Sequence, residues 1–155
     1  MLARTTTMWT SLMVGGLIWS AFVGGAVAQD KVGILAFREL EDAQGLGNRV
    51  RESLAKSFRA AGFTVVDVDN AAKSIPGAPE VASDGAKKLG QQTGVKWVVT
   101  GRVIGGRATL LVGKVLSTSS DAVLAEARPV KNPGDMDAAL ESLGEKLISN
   151  IKKMR

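Results

Sequence analysis

The segment Lys31–Phe37, with the sequence KVGILAF, constrains the fold more than any other feature, because it is an apolar run of strand length. Both of its alternating faces are apolar, which is typical of a strand buried on both sides of a sheet. Other elements must therefore cover both faces. An amphipathic helix is predicted next, from Gln44–Gly47 to Gly62, followed by a strand at Phe63–Val68 that is rich in β-branched residues.

The rest of the chain predicts two more helices and three more strands. Pro and Gly breakers predict a loop over residues 69–82, after which a helix is expected at Ser83–Thr93. Asn132–Asp135 opens a final helix with a long apolar stripe. The pair Gly105-Gly106 predicts a two-residue turn of type I′ between two strands. The three strands are predicted at Val95–Ile104, Arg107–Leu116 and Ala122–Val130.

The predicted element order is β-α-β-α-β-β-β-α, which indicates an α/β fold with a single mixed five-stranded sheet and helices packed on it. The two β-α-β units predict parallel neighbours, and the last three strands predict an antiparallel meander. About 125 residues are enough for one hydrophobic core. We therefore expect a single domain at residues 30–155.

Residues 1–28 have the three-part pattern of a secretory signal peptide. Arg4 supplies a positive end, residues 12–23 are mostly apolar, and Ala26-Val27-Ala28 is a small-x-small cleavage pattern. We therefore expect export to the periplasm and a soluble protein after cleavage. The alternative is an uncleaved leader that anchors the protein, since the uncharged stretch approaches the ~20 residues of a spanning helix. Membrane contact would then occur only through the leader.

Missing residue types exclude several classes of function. The chain has no Cys and no His, which excludes thiolate and Ser-His-Asp catalysis, the usual zinc and copper sites, and a lipid-modified cysteine. We therefore expect no enzymatic activity, no cofactor and no metal. The formal net charge is +5 and the basic residues are scattered, which fits either solubility or an acidic partner.

Three aspartates, Asp67, Asp69 and Asp84, are the candidates for a divalent-metal site or for a carboxylate-dependent hydrolase, because Mg²⁺ and Ca²⁺ take carboxylate ligands. No calcium-loop pattern surrounds them, and aspartate is common where strands turn. Metal binding is therefore the weaker hypothesis for these residues.

Two further patterns are weak signals for catalysis or nucleotide binding. Gly45-Leu46-Gly47 opens a helix after a strand, but Val50 stands where a phosphate-binding turn needs its third glycine. Ser117–Ser120 near Lys114 suggests a Ser-Lys nucleophile, although an exposed polar turn is the better interpretation.

Two basic surfaces are the candidates for binding a partner. One is the predicted hairpin, which carries Arg102 and Arg107, and the other is the exposed side of the first helix, which carries Arg49, Lys56 and Arg59. The chain has no Tyr, and aromatic residues are 5% of it, so a base-stacking platform for nucleic acid is not supported.

Several phrases together resemble a family of envelope domains: KVGILAF, GFTVVDVD, KKLGQQTGVKWVVTGRVIG and LLVGKVLSTSSDAVLAEA. The most specific are Leu89-Gly90 and the stretch Gly94–Gly101. The sequence resembles the N-terminal domain of TolB and the related domain of curli-secretion (CsgG-type) proteins. Penicillin-binding-protein activators and flagellar accessory lipoproteins share the same general domain.

This resemblance implies an α/β domain in the periplasm that docks onto envelope machinery. TolB carries a β-propeller after this domain, whereas this sequence stops at residue 155, so a free-standing adaptor is expected. Its partner would be an envelope protein or protein complex, with a homo-oligomer as an open alternative. A small-ligand or glycan-binding module, or a carboxylate- or metal-dependent hydrolase, is the alternative function.

Overall fold

A computed structural model of the protein describes residues 30–155, so the predicted signal peptide at residues 1–28 lies outside the described residues. These residues form an α/β fold with one mixed sheet, which confirms the predicted class. The strands are β1 (Lys31–Ile34), β2 (Arg38–Leu40), β3 (Thr64–Val66), β4 (Trp97–Ile104), β5 (Thr109–Ser117) and β6 (Val123–Val130). The helices are α1 (Leu46–Ala60), α2 (Asp69–Ala72), α3 (Ser83–Thr93) and α4 (Met136–Lys153), with a 3-10 turn at Pro133–Asp135 before α4.

The sheet has the order β3-β1-β4-β5-β6, and β2 lies beside β4 beyond the end of β1. Strands β1, β2 and β3 run parallel to their neighbours, while β4, β5 and β6 form the predicted antiparallel meander. Strands β3 and β4 were predicted to be neighbours, but β1 lies between them because it pairs with both. The sheet thus has one strand, β2, more than predicted.

Strand β2 lies in a segment that was predicted to be a turn. Four residue steps separate Ile34 from Arg38, whereas three separate their partners Val99 and Arg102, so one extra residue bulges between β1 and β2. The exposed and charged sequence Arg38-Glu39 does not resemble a buried strand. It becomes a strand because β4 is long enough to pair with both segments.

The connection from β4 to β5 is longer than the predicted two-residue turn. Ile104 pairs with Leu110, so residues 105–109 lie between the last paired positions. The backbone N–H of Gly105 donates a hydrogen bond to the carbonyl of Leu40 at 3.0 Å, which attaches this glycine to the end of β2 instead of leaving it in a tight turn. Gly106 alone of the pair has a positive φ, 116°.

Helices cover the two faces of the sheet unequally. On one face, α1 and α4 pack their apolar stripes on all the long strands and form the larger core. On the other face, α3 and the segment before it cover a smaller core that contains Val98 and Leu116 from the sheet, Leu35 just after β1, and Leu89 from α3. We refer to these as the α1/α4 face and the α3 face. Within residues 30–155, no helix is long and apolar enough to cross a membrane.

Candidate interaction surface

A large part of the α3 face is not covered by α3. Ile104, Leu110 and Val112 are all partly exposed, and none of them belongs to either core of residues 30–155. Their side chains point away from the α1/α4 face because they alternate along the strands with its core residues Val103 and Leu111. We call this region the open face; its members are Arg38, Leu40, Arg102, Ile104, Leu110, Val112, Lys114, Ala125, Ala127 and Pro129.

An apolar row crosses the open face. Leu40 pairs with Ile104, Ile104 with Leu110, and Leu110 with Pro129, so these four side chains lie side by side on four strands. Each is partly or largely exposed. Contiguous apolar patches that are exposed on a protein surface commonly mark sites of interaction with another molecule.

Strand β6 has an inverted polarity that enlarges the apolar area of the open face. Ala125, Ala127 and Pro129 point outward, while Glu126 and Arg128 point toward α4. There Asn150 Nδ2 donates to Glu126 Oε1 at 3.1 Å, and Arg128 Nε donates to Ser142 Oγ at 3.0 Å. Exposed strand faces usually carry polar residues, so this reversal leaves the outward side uncharged along β6.

Three cations lie beside the apolar row, and one carboxylate is directed toward them. Glu80, in the loop before α3, accepts a hydrogen bond from Lys114 Nζ at 3.1 Å, and its Oε1 lies 3.3 Å from Arg102 Nη2. Arg38 pairs in register with Arg102 on the neighbouring strand. The hydrogen bond from Lys114 lowers the pKa of Glu80; burial opposes this, and the positive charges of Lys114, Arg102 and Arg38 lower the pKa further.

The free edge of β6 is protected against pairing with another strand. The guanidinium group of Arg128 donates from Nη1 to the carbonyl oxygen of Ala127 at 2.8 Å, so this carbonyl already has a partner. The next residue, Pro129, has no N–H to offer a strand ladder. Both features protect an edge strand from pairing with other chains.

A second concave region lies at the carboxyl ends of the parallel strands β1 and β3. Its cavity of about 650 Å³ is lined by residues that include Leu35, Arg51, Asp67 and Asp69. Ligands of open α/β sheets often bind where the connections of two adjacent strands leave toward opposite faces. Here the chain leaves β1 through β2 and continues into α1 on one face, and it leaves β3 for α2 and α3 on the other.

The carboxylates in this cavity are engaged by the protein itself. Arg51 Nη1 donates to Asp69 Oδ2 at 2.5 Å, and its Nη2 lies 3.8 Å from Asp67 Oδ1. Asp67 Oδ1 also accepts the backbone N–H of Asp69 at 2.9 Å. In residues 30–155 no group of three or more Asp or Glu side chains converges as a metal site. Asp67, Asp69 and Asp84 are therefore not brought together.

The other predicted chemical patterns are used for local structure. The backbone N–H of Gly47, at the start of α1, donates to Glu39 Oε1 at 2.8 Å, so a carboxylate of the chain occupies the position that a phosphate would need. Lys114 binds Glu80 and not a serine. The hydroxyl of Ser117 instead accepts the N–H groups of Ser119 and Ser120, both at 3.2 Å, and orders the turn.

The five predicted partner-binding residues, which were assigned to a hairpin and to one side of the first helix, lie in several places. Arg102 lies on the open face, while Arg49 and Arg107 both line a groove on the α1/α4 side, at the end of the sheet. Arg59 lines the cavity near β3, and Lys56 is an exposed residue of α1. Arg49 also pairs with Asp137 at 2.8 Å.

Arg38, Glu80 and the apolar row of the open face were not predicted from the sequence. A signal for the row was present, because Leu110, Val112 and Leu116 are apolar on the second face of their strand, where Lys114 is the one charged residue, and Val123–Val130 places its small apolar residues on one face. No sequence signal placed Glu80 beside Lys114, since this contact spans 34 residues.

Comparisons with known proteins agree with the fold and identify a family. The family model described as FlgO protein matches residues 20–131. The C-terminal domain of LpoB from Salmonella enterica is 15% identical, with a TM-score of 0.56 over 70% of this chain and 87% of that one. Lipoprotein GNA1162 from Neisseria meningitidis is 11% identical, with a TM-score of 0.53 over 76% and 96%. The PelC dodecamer from Paraburkholderia phytofirmans is 15% identical, with a TM-score of 0.50 over 78% and 86%.

A search of curated proteins found no match. The resemblance to TolB and CsgG-type proteins is wrong, because the family model that matches is FlgO. The phrases that suggested it describe packing: Leu89 is a buried residue of α3, and Val98 and Val99 belong to the two cores on either side of β4. Such requirements belong to a fold and do not distinguish families that share it.

Proposed function

Since the chain belongs to the FlgO protein family, we propose that it is a non-catalytic accessory protein of the cell envelope that binds another envelope protein through its open face. The observation that carries this proposal is the apolar row Leu40–Ile104–Leu110–Pro129, which no helix of residues 30–155 covers. The proposed location is the periplasm, after removal of the predicted leader at residues 1–28.

The open face has the features of a protein interface. Its centre is apolar, and charged groups lie beside that centre. Interfaces commonly combine a desolvated apolar centre with a polar rim. Of the five residues predicted from sequence, Arg102 belongs to this surface, and Arg49, Lys56, Arg59 and Arg107 form a secondary proposal on the other side of the sheet and along α1.

A second copy of this chain is the alternative partner for such a surface. The solved structure of the PelC dodecamer, which has a similar fold, is an assembly of twelve copies. A homo-oligomer of this chain would therefore be detected as adducts between copies in the experiment below.

The test is site-specific photo-crosslinking in the native envelope. A photoreactive phenylalanine analogue is placed at Val112, at the centre of the open face, and in a matched strain at Lys146, an exposed position of α4. We expect a reproducible adduct with one envelope protein from position 112 and none with that protein from position 146. Equal adducts from both positions, or none from position 112 in the folded and abundant protein, would refute docking through the open face.

A second candidate, binding of a small ligand, is favoured by the cavity between β1, β3, α1 and α2. Its lining combines apolar residues such as Leu35 and Ile75 with the charged Arg51 and Asp69, so it suits a small polar molecule or glycan unit with an apolar side. Thermal unfolding in a ligand screen tests it, because a ligand that binds the native state raises Tm. An Arg51→Ala variant that loses the shift would locate the site.

A further inference from the structure

We propose that the partner presents an acidic side chain flanked by apolar residues, and that this carboxylate binds between Arg38, Arg102 and Lys114 on the open face. The inference rests on the proposed function, since it names the chemistry of the partner that docks there. It is carried by two independent features of the same surface, its charge balance and its apolar row.

The charge balance leaves the open face with excess positive charge. Within the described part of the chain, Glu80 is the carboxylate that forms ion pairs with Arg102 and Lys114, and Arg38 lies next to them in register. Three cations against one carboxylate leave a net charge of +2. The side chains of Arg102 and Lys114 are 39% and 28% exposed, so their donors remain accessible from solvent.

The guanidinium groups suit a carboxylate in particular. Arg presents several N–H donors in a planar fork that matches the two oxygens of a carboxylate. Glu80 already binds these cations within the molecule through one oxygen, because its Oε1 lies 3.3 Å from Arg102 Nη2 and 3.1 Å from Lys114 Nζ. A partner carboxylate would use the donors that Glu80 leaves free.

The apolar row fixes where the partner's apolar groups would lie. Arg102 pairs with Val112, and Ile104 pairs with Leu110. Ile104 therefore lies two residues after Arg102 on β4, and Leu110 lies two residues before Val112 on β5. Residues two apart on one face of a strand are separated by about 7 Å. An acidic side chain on the cations therefore places its neighbours within reach of the row, where burial of both apolar surfaces stabilises the complex.

A second copy of this chain is a poor occupant in a symmetric face-to-face dimer. Such an interface is isologous, so the same patch from each copy meets its equivalent. Where the two-fold axis passes through the cations, Arg38, Arg102 and Lys114 of one copy would approach the same three cations of the other, and like charges at an interface are strongly unfavourable. The excess charge selects a partner of opposite sign.

The test measures how the adduct from position 112 depends on charge. The variant Arg102→Glu with Lys114→Glu reverses two of the three cations, and the matched control Lys152→Glu with Lys153→Glu makes the same change at exposed positions near the end of α4. We expect at least about a tenfold loss of adduct in the first variant, since charge pairs of this type determine both the rate and the strength of association. The control should stay within about twofold of the unmodified protein.

A second variant separates loss of binding from loss of folding. Glu80→Lys combined with Arg102→Glu and Lys114→Glu restores the internal ion pairs with reversed signs, while the net charge of the open face falls from +2 to zero. It should unfold at a Tm close to that of the unmodified protein and still lose the adduct.

The outcomes distinguish the two levels of the proposal. Absence of any adduct from the unmodified protein contradicts the proposed function itself. An adduct that persists in both charge variants leaves docking intact but overturns the acidic partner. Adducts between copies of this chain, in place of a heterologous one, overturn it as well, because the occupant is then a second copy.

Discussion

Glu80 Oε1 lies 3.1 Å from the ammonium group of Lys114, and this contact joins the loop before α3 to the centre of the meander. The neighbouring Pro79 is attached in the same region, because the hydroxyl of Thr100 donates to its carbonyl oxygen. The loop thus contacts β4 and β5 at the border between the part of the α3 face that α3 covers and the open face. It brings one carboxylate to the cations that we assign to partner binding.

The contact between Glu80 and Lys114 predicts a pH-dependent contribution to stability. The pKa of Glu80 is lowered in the folded protein, chiefly by the hydrogen bond from Lys114. A lowered folded pKa stabilises the protein above the ordinary glutamate pKa of 4.5, and this stabilisation is lost as the pH falls through the folded pKa. Glu80→Gln should therefore cost about 1–2 kcal/mol at pH 7.

The measurement is the free energy of urea unfolding at several pH values. The difference between Glu80→Gln and the unmodified protein should be constant from pH 6 to 8, on the basis of linkage, and shrink well below pH ~4.5. The control is Glu145→Gln, at an exposed position of α4, which should show little difference at any pH. A difference for Glu80→Gln that does not change with pH would contradict the assignment.

Asp30 ties the start of the described chain to its end. Its carboxylate receives Lys96 Nζ at 3.0 Å and Arg155 Nη2 at 2.5 Å, and its side chain is 13% exposed. Burial by itself raises the pKa of Asp30, but the hydrogen bonds and charges of Lys96 and Arg155 together bring it below its ordinary value. Asp30→Asn should reduce the free energy of unfolding at pH 7 by about 1 kcal/mol.

A matched surface pair provides the control for Asp30. Asp137 pairs with Arg49 at 2.8 Å, but its side chain is 87% exposed, and solvent-exposed ion pairs contribute about 0–1 kcal/mol. Asp137→Asn should therefore change stability by less than about 0.5 kcal/mol. Equal effects of the two substitutions in urea unfolding would show that the paired ends add nothing beyond an ordinary surface contact.

Gly101 allows the closest approach between β4 and the elements around it. A Cβ atom at this position would collide with the carbonyl oxygen of Val112 and lie 2.5 Å from the ring of Phe37. Overpacking of this kind typically costs about 1–3 kcal/mol. Gly101→Ala should lower the midpoint of urea unfolding accordingly. Gly134→Ala, where a Cβ meets nothing within 4 Å, should be neutral or slightly stabilising, so the same effect at both positions would contradict the packing argument.

The open face predicts a localised binding site for a hydrophobic dye. Fluorescence of 8-anilinonaphthalene-1-sulfonate reports exposed apolar surface, and its sulfonate suits the adjacent cations. Leu110→Ser should reduce dye fluorescence at least about twofold while Tm changes by only a few degrees. Val123→Ser is the control, because Val123 is 42% exposed but lies at the other end of β6. A larger loss of dye fluorescence in Val123→Ser than in Leu110→Ser would show that the dye does not bind at the open face.

Much of the fold could be predicted because its signals are local. The apolar stripe of α4 has helical spacing, and Leu140, Leu143 and Leu147 are fully or almost fully buried against the sheet. The alternation along residues 95–130 predicted the meander of β4, β5 and β6, which pair in that order. Strand β2 could not be predicted, because its three residues are stabilised by pairing with β4 and not by their own propensity.

The candidate site was less predictable than the fold. Arg102 was identified from sequence as a basic residue near a hairpin, but its partner Glu80 and its neighbour Arg38 come from a distant loop and another strand. Alternation tells which residues share a face of a strand, and it does not tell whether a helix covers that face. The open face therefore became visible only when the positions of α3 and the loop before it were known.

The sequence by itself determined the class of the domain and the chemistry it lacks. A strand that is apolar on both faces requires cover on both sides, and a chain without Cys or His has no ligands or nucleophiles of those types. Only the tertiary structure determines how far the helices extend over each face of the sheet. The α3 face is long and α3 has 11 residues, so one part of the sheet is buried and the other remains exposed beside Arg38, Arg102 and Lys114. Such a boundary depends on the lengths and positions of packed elements, which no local pattern of residues encodes.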